Sequence, residues 1–272
     1  MADKVKTIRL YNEVEIPMIG FGTFKIDNAS AEDAVTAALR VGYRHIDTAS
    51  MYRNEEAVGK AVKASGIARE DIFITSKVWN NDQGFHSTLE AFKKSCELLD
   101  TDYLDLYLIH WPKDKNLETW RALEKLYADG KVRSIGVSNF KIHHLQQLID
   151  KGEMVPMVNQ VELHPQFPQN RLRGYCEKFD IVIESWGPLM QGKAFSIPLL
   201  QEIAEEHGKT IAQVVLRWHY QEGLVSLPKT VHPDRMKSNL DIFEFELSKD
   251  DIERIATLKG GRIGYDPDTI PF

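Results

Sequence analysis

The chain has 272 residues, of which 43% are hydrophobic and 27% are charged. This composition is ordinary for a globular protein that buries a large core without disulfide or metal cross-links. The formal net charge of −6 argues against general binding to nucleic acid or to anionic membranes, so we expect neither as a partner.

The spacing of the cysteines and the N-terminal sequence indicate the cellular compartment. Cys96 and Cys176 stand far apart, outside any C-x-x-C pattern, which is typical of a reduced protein. The opening segment, MADKVKTIRL, has no apolar signal region. Apolar runs also stay well short of the ~20 residues that span a bilayer. We therefore expect a cytoplasmic protein.

Strand-like and helix-like runs alternate behind a short predicted hairpin, Thr7 to Ile16, that turns at Asn12. The predicted strands are short and apolar: Met18–Phe21, Tyr43–Ile46, Ile72–Thr75, Leu104–Ile109, Val132–Val137, Met157–Val161, Ile181–Ile183 and Leu224–Leu227. The predicted helices, one starting at the cap residue Asn54 and one closed by Gly130, are Ser30–Val41, Asn54–Ser65, His86–Leu99, Glu118–Asp129, His143–Asp150, Asn170–Phe179, Leu199–Glu206, Ile211–Gln221, Asp234–Leu240 and Lys249–Leu258.

Eight strand–helix units in one chain predict a parallel sheet. About 250 residues is typical of a (β/α)8 barrel, so we expect residues 1–272 to form one α/β domain, a TIM barrel with an N-terminal hairpin cap and a C-terminal extra helix and tail. An open dinucleotide-binding sheet would show G-x-G-x-x-G after its first strand. Here the run Gly20–Lys25 reads GFGTFK and lacks the third glycine.

Ionisable residues close three consecutive predicted strands. Asp47 ends the second, Lys77 the third and His110 the fourth, and Tyr52 follows Asp47 in a short loop. Catalytic residues of such barrels lie at the C-terminal strand ends, and neighbouring strands are ~4.8 Å apart. Each residue alone has an ordinary structural explanation, such as a turn cap or loop packing. Together on one rim they indicate a catalytic site, with Lys77 between Asp47 and His110.

The types of these four residues suggest that one of them acts as a general acid. Tyrosine, with an ordinary pKa of about 10, is a poor acid at neutral pH. An ammonium at Lys77, held by Asp47, would lower the pKa of Tyr52 and make it a usable general acid. His110 would hydrogen-bond the substrate oxygen or assist proton transfer. A proton donor aimed at an oxygen suits carbonyl reduction, given a hydride source.

Six blocks in order along nearly the whole chain resemble the aldo-keto reductases, most closely the prokaryotic 2,5-diketogluconate reductases. They are Gly42–Gly59, Ile72–Trp79, Asp105–Pro112, Ile135–Phe140, Asn159–Pro165 and Pro228–Asn239. The resemblance implies NADPH-dependent reduction of aldehydes and ketones, including α-dicarbonyls and keto-sugars such as 2,5-diketogluconate. It implies a catalytic tetrad of Tyr52, Lys77, Asp47 and His110, and a protein that we expect to be a monomer.

The same resemblance assigns further residues. Those implied to bind NADPH or NADP+ are Gly22, Thr23, Ser138, Asn139, Gln160, Trp186, Gly187, Leu189, Gln191, Lys229, Thr230, Arg235 and Asn239. Those expected around the substrate carbonyl are Phe24, Met51, Trp79, His110 and Trp111. The short tail predicts an open, permissive pocket.

Two other functions remain open at this point. One is a regulatory barrel that binds the cofactor with little turnover. The other is a lyase or isomerase that uses Lys77 as a Schiff-base nucleophile. We expect no metal site, because paired-ligand spacings such as H-E-x-x-H are absent from the sequence.

Overall fold

Two antiparallel strands, β1 (Thr7–Arg9) and β2 (Glu15–Pro17), open the computed structural model, which describes residues 6–272. As predicted, they form a hairpin that turns around Asn12. The Asn12 amide donates to the carbonyl of Arg133 at 2.9 Å, and the Tyr11 hydroxyl donates to that of Val155. These partners precede or begin barrel strands, so the hairpin covers the N-terminal end of the barrel.

Eight parallel strands follow in one sheet whose spatial order is the chain order. They are β3 (Phe21–Gly22), β4 (His45–Asp47), β5 (Phe73–Val78), β6 (Leu104–Ile109), β7 (Val132–Ser138), β8 (Val158–Glu162), β9 (Val182–Trp186) and β10 (Val225–Leu227). The segment before β3 closes the ring, since Ile19 bridges to Ser226 in parallel and the Gly20 amide donates to Ser226 at 2.9 Å. The predicted (β/α)8 barrel is therefore confirmed.

The helices lie between successive strands and after the last. They are α1 (Asn28–Val41), α2 (Glu55–Ala64), α3 (Phe85–Leu99), α4 (Asn116–Ala128), α5 (Ile142–Lys151), α6 (Asn170–Glu177), α7 (Pro198–Glu206), α8 (Ile211–Gln221), α9 (Pro233–Leu240) and α10 (Lys249–Ala256). Both α7 and α8 follow β9, and Gly208 separates them. Across residues 6–272, the helices are all too short or too polar to cross a membrane.

Local chemistry explains where the elements start and stop. Helix α1 begins earlier than predicted because Asp27 caps it, its side chain accepting from the Ser30 amide at 2.9 Å. It ends at Gly42, whose φ of 117° suits glycine. Asn54 stands at the cap position of α2, but its side chain makes no cap bond with the described residues. Its amide instead donates to the carbonyls of Thr23 and Ile26, so it fastens the loop after β3.

The first predicted strand was misplaced. The expected Met18–Phe21 is an irregular bridge to Ser226, and β3 itself spans Phe21–Gly22. The other seven strands lie within one to three residues of their predicted ends, because long apolar runs determine a buried strand while terminal residues depend on hydrogen-bond register.

Gly136 allows β7 and β8 to lie side by side. A Cβ built there would lie 2.5 Å from the carbonyl oxygen of Val158, which is backbone and cannot swing away. We expect Gly136→Ala to destabilise the protein by about 1–3 kcal/mol, as overpacking does. Gly174 in α6 is the matched control, since a Cβ there has open space; Gly174→Ala should stabilise by about 0.5–1 kcal/mol. Urea denaturation measures both, and equal stabilities would contradict this packing.

Candidate active site

A buried ion pair lies at the C-terminal ends of β4 and β5. The Lys77 ammonium, which is fully buried, donates to the Asp47 carboxylate at 2.8 and 2.7 Å and to the Thr48 carbonyl at 2.9 Å. Burial alone would lower the pKa of Lys77, but the charge and hydrogen bond of Asp47, together with the charges of Tyr52 and Glu184, outweigh burial and raise that pKa. The lysine therefore stays a cation.

Tyr52 lies above this pair. It ends a 3-10 turn, Ser50–Tyr52, and its hydroxyl is 3.5 Å from Lys77 Nζ. The ring is half-buried, with its hydroxyl directed inward to the ion pair. Burial raises the pKa of Tyr52 to about 12, and Lys77 only partly offsets this. The sequence predicts a lowered pKa for Tyr52, and this prediction is wrong for this site. Loss of solvent raises the pKa by more than the Lys77 ammonium lowers it, because Asp47 already neutralises that ammonium.

His110 completes the group. Its ring is edge-on to Tyr52 with centroids 5.6 Å apart, and edge-on to Trp79 at 5.0 Å. Burial, with Lys77 nearby, holds the pKa of His110 well below its usual value of 6.5. The imidazole is therefore neutral at physiological pH and has one N–H to donate. The structure brings together the four side chains expected at the strand ends.

Two buried polar residues under this group were missed by the sequence interpretation. Glu184 in β9 is fully buried, and Gln160 Nε2 bonds both its Oε2 atom at 2.6 Å and Asp47 Oδ2 at 2.8 Å. His45 in β4, also fully buried, lies 3.6 Å from Glu184 Oε1. The available signal was an acidic residue inside an otherwise apolar run.

Ser138, Asn139 and Trp186 form one rim of the mouth. Asn139 has a φ of 64°, and its amide donates to the His110 carbonyl at 3.0 Å. The Trp186 indole N–H donates to Asn139 Oδ1 at 2.8 Å. The Ser138 hydroxyl donates to the Gln160 carbonyl at 2.9 Å. These contacts fix the Trp186 ring, which is partly buried.

The loop after β9 is sharply bent. Positive φ angles of 66°, 58°, 53° and 95° occur at Gly187, Met190, Gln191 and Gly192. Met190 is buried, whereas Gln191 is exposed and Leu189 is half-buried. Added Cβ atoms at Gly187 and Gly192 would meet open space, so the loop leaves an accessible backbone surface beside Trp186.

A basic patch follows β10. Lys229 and Arg235 are exposed, and neither forms an ion pair within residues 6–272. Thr230 is buried and its hydroxyl accepts from the His232 amide at 3.2 Å, just before α9 begins. Two unpaired cations and a helix N-terminus make a donor set that suits a phosphate. Asn239 is buried, and the nearby Tyr43 hydroxyl donates to the Met236 carbonyl at 3.3 Å.

Gly22 and Thr23 line the opposite side. Thr23 is fully buried, and its hydroxyl donates to the Asp47 carbonyl at 2.9 Å. Its side chain therefore braces the Asp47 backbone. A Cβ at Gly22 would contact the Leu227 carbonyl at 3.4 Å, so β3 lies close against β10.

Aromatic side chains wall the mouth. Phe24 is 46% exposed with its ring 5.1 Å from Tyr52, while Trp111 is buried and Trp79 and Met51 are half-buried. Phe272, which the sequence interpretation did not include, stacks on Trp79 at 5.5 Å and meets Trp111 edge-on at 5.8 Å. The expectation of an open pocket is thus wrong here, because the tail folds back over the mouth.

The tail is attached at one buried carboxylate and at several exposed groups. The buried Glu162 carboxylate accepts the amides of Ile263 and Gly264, the latter at 2.9 Å. Gly264 lies against Trp186, since a Cβ there would be 2.5 Å from the indole. At the surface, Lys141 pairs with Asp266 and with Asp268. The tail thereby supports the ring that borders the mouth.

His143, His144 and Asp268 are the one group in the described residues whose ligand atoms approach a metal-binding arrangement. Their chemistry does not suit a metal. The Nδ1 atom of His144 accepts from the Lys141 amide at 3.2 Å, so Nε2 carries the proton. The Lys141 ammonium also contacts Asp268, at 2.6 Å, which would repel a second cation.

Comparison with known proteins adds to this geometry. A family model described as the aldo/keto reductase family matches residues 18–259. The chain is 55% identical over 269 residues to glyoxal reductase of Bacillus subtilis, covering 98% of each chain. It is 46% identical over 267 residues to methylglyoxal reductase DkgA of Salmonella typhimurium, covering 96% of each. The crystal structure of a mutant of Gox0644 in complex with NADPH superposes with a TM-score of 0.95 at 44% identity, covering 99% and 100% of the two chains.

The Lys77–Asp47 pair generates a stability prediction. Lys77→Met leaves the Asp47 carboxylate buried without its cation, and breaking a buried pair typically costs about 3–5 kcal/mol. We expect the double variant Lys77→Met/Asp47→Asn to be more stable than Lys77→Met alone. Urea denaturation at pH 7 measures both, and a double variant no more stable than the single one would show that the charges are not coupled.

Proposed function

The chain belongs to the aldo/keto reductase family, and we propose that it reduces small aldehydes and α-dicarbonyl compounds, with glyoxal and methylglyoxal as the leading substrates. NADPH-dependent carbonyl reduction is the activity of this protein. The observation that carries the finer assignment is the buried Lys77–Asp47 pair beneath Tyr52, in a mouth narrowed by aromatic rings. The names of the glyoxal and methylglyoxal reductases support the same substrate class.

We assign Tyr52 as the donor of the proton that the substrate carbonyl oxygen receives. Bound NADPH supplies the hydride. With a pKa of about 12 in the cofactor-free protein, Tyr52 is fully protonated at neutral pH and has a proton to donate to the carbonyl oxygen. The phenolate that this leaves lies 3.5 Å from the Lys77 ammonium, which stabilises it. The neutral His110 imidazole donates a hydrogen bond to the same substrate oxygen and so orients it.

The rim residues fit the cofactor. Trp186 offers a ring, fixed by its hydrogen bond to Asn139 and partly exposed, that would stack on the nicotinamide beside the amide groups of Asn139 and Gln160. The remaining contacts that we propose are with Gly22, Thr23, Ser138, Gly187, Leu189, Gln191, Lys229, Thr230, Arg235 and Asn239. The basic patch after β10 would take the 2′-phosphate of NADPH.

Small substrates suit the aromatic wall. Phe24, Met51, Trp79 and Trp111 surround the space beside Tyr52 and His110, and Phe272 narrows it. A compact dicarbonyl needs little volume. Larger keto-sugars such as 2,5-diketogluconate stay candidates that require the tail to move. We therefore expect reaction rates to fall as substrates lengthen.

Schiff-base chemistry at Lys77 has no support in the geometry. All three ammonium protons have acceptors, namely the two Asp47 oxygens and the Thr48 carbonyl. The raised pKa of Lys77 keeps the amine protonated, and a protonated amine is not a nucleophile. The monomeric state, the cytoplasmic location and the single domain over residues 1–272 stay predictions.

Tyr52→Phe tests the acid. It removes one hydroxyl and little volume, so NADPH binding should persist while reduction of methylglyoxal falls by about 10²–10⁴-fold. Absorbance of NADPH follows turnover, and quenching of protein fluorescence follows binding. Turnover near that of the wild type would contradict the assigned role of Tyr52 and, with it, the proposed mechanism.

Arg235→Ala tests the phosphate contact. A hydrogen bond to a charged group contributes ~1.5–3 kcal/mol, so NADPH affinity should fall by about tenfold or more while NADH affinity changes little. Added salt should reduce the difference. Lys237 is the matched control, an exposed cation two residues later on another face of α9. If Lys237→Ala has the same effect, the loss reflects general charge and not a site.

A further inference from the structure

Glu184 is a buried acid that the proposed mechanism does not use. It lies on the inward face of β9, in register with Gln160 of β8 and Val225 of β10. Its side chain is completely inaccessible to solvent. The neighbouring Ser185 points outward to His219 of α8, at 3.1 Å, which confirms that Glu184 faces the barrel interior.

Gln160 joins Glu184 to the Lys77–Asp47 pair. Its amide nitrogen lies 2.6 Å from Glu184 Oε2 and 2.8 Å from Asp47 Oδ2. Because an amide nitrogen has two hydrogens, each carboxyl group takes one. The two acids therefore share one donor, and a change at Glu184 is transmitted to Asp47 through a single side chain.

The second oxygen of Glu184 faces His45. Oε1 is buried without a hydrogen-bond partner in the described structure and lies 3.6 Å from His45 Nε2. Gly20 makes room for this histidine, since a Cβ there would be 2.7 Å from His45 Nδ1. Burial lowers the pKa of His45 to about 3, so the ring is neutral and offers Glu184 no positive charge.

The charges around Glu184 leave it without a cation of its own. His45 and Asp47 face it from β4, Lys77 from β5, Gln160 from β8 and Tyr52 from above, while β10 contributes the apolar Val225. Among these residues Lys77 is the one cation, and both Asp47 oxygens already engage it. Burial, followed by the charge of Asp47, raises the pKa of Glu184 to about 8.

We propose that Glu184 is a positioning residue of the carbonyl reduction: held in its protonated form, it shares Gln160 with Asp47 and leaves Asp47 as the sole anionic partner of the Lys77 ammonium. The proton resides on Oε1, the oxygen that faces His45. Glu184 does not exchange a proton with the substrate. It acts through Gln160 and Asp47, and this inference rests on the proposed function of the site.

Ionisation of Glu184 would make Tyr52 a weaker proton donor. A carboxylate there raises the pKa of Tyr52 and that of Lys77. Tyr52 would then hold its proton more tightly, and reduction would slow at a pH far below that at which Tyr52 itself titrates. The rate of reduction should therefore decline as the pH rises through about 8, where the folded protein loses the Glu184 proton.

The test is the pH profile of single-turnover NADPH oxidation with methylglyoxal, for the wild type and Glu184→Gln. Glutamine keeps the shape of the side chain and cannot ionise. We expect the wild-type rate to fall by about threefold to tenfold between pH 7 and pH 9.5, an effect of one buried charge at this range, and the Glu184→Gln rate to stay level. Glu55→Gln is the matched control, because Glu55 is also buried but bonds to Ser76 on the outward face of β5; it should keep the decline.

A second measurement does not depend on turnover. The infrared difference spectrum of the wild type between pH 6.5 and pH 9.5 should show loss of a protonated carboxyl band, which Glu55→Gln retains and Glu184→Gln lacks. Absence of that band in the wild type would overturn the inference even if Glu184→Gln did not fold. So would an unchanged alkaline decline in a folded Glu184→Gln. Full activity of Tyr52→Phe, by contrast, would overturn the proposed function and not the protonation of Glu184.

Discussion

An ammonium group enclosed at the centre of a barrel is the feature on which the rest of this structure depends. Lys77 has lost all contact with solvent, and removing a charge from water costs several kcal/mol unless partners replace the water. Its partners come from one neighbouring segment: Asp47 at the end of β4, the Thr48 carbonyl directly after it, and Tyr52 in the loop that follows. Parallel pairing of β4 with β5 brings these groups beside Lys77, so the arrangement of the four residues follows from the fold.

Much of the site could be predicted because functional residues of a (β/α)8 barrel lie at the C-terminal ends of its strands. Asp47, Lys77 and His110 follow or end apolar runs, and parallel strands of a barrel present those ends on one face. Errors of one to three residues in strand bounds did not matter, because the ionisable residue itself marks the end. The net pKa shift of Tyr52 could not be predicted. It is the difference between burial and attraction to Lys77, and only the depth of the hydroxyl decides which is larger.

Glu184 and His45 show a different limit of sequence interpretation. In a strand enclosed by helices outside and by the barrel inside, both faces are buried, so alternation of polar and apolar residues disappears. The run Ile181–Trp186 therefore does not reveal which way its single acid points. Nor does Gly20, in an irregular segment, reveal that it gives space to a histidine from another strand. Both facts depend on register, which long-range hydrogen bonds determine.

The mouth combines segments that are far apart in sequence, and this explains why its walls were the least predictable part. Phe272 reaches Trp79 and Trp111 because the tail folds back and its last carbonyl oxygen accepts hydrogen bonds from Lys113 and Asn80. The buried attachment at Glu162 uses a carboxylate that accepts two backbone amides of the tail and also pairs with the Arg262 side chain at 3.8 Å.

The exposed attachments are the ion pairs of Lys141 with Asp266 and Asp268 and the hydrogen bonds that Lys113 and Asn80 donate to the Phe272 carbonyl oxygen. Surface ion pairs contribute ~0–1 kcal/mol each. The tail is therefore held by a buried carboxylate where it supports Trp186, and by exposed polar contacts and ring packing farther along, at Phe272. The tail and the Lys77–Asp47 pair share no hydrogen bond in the described structure, so the tail can change in sequence or position without disturbing the buried pair.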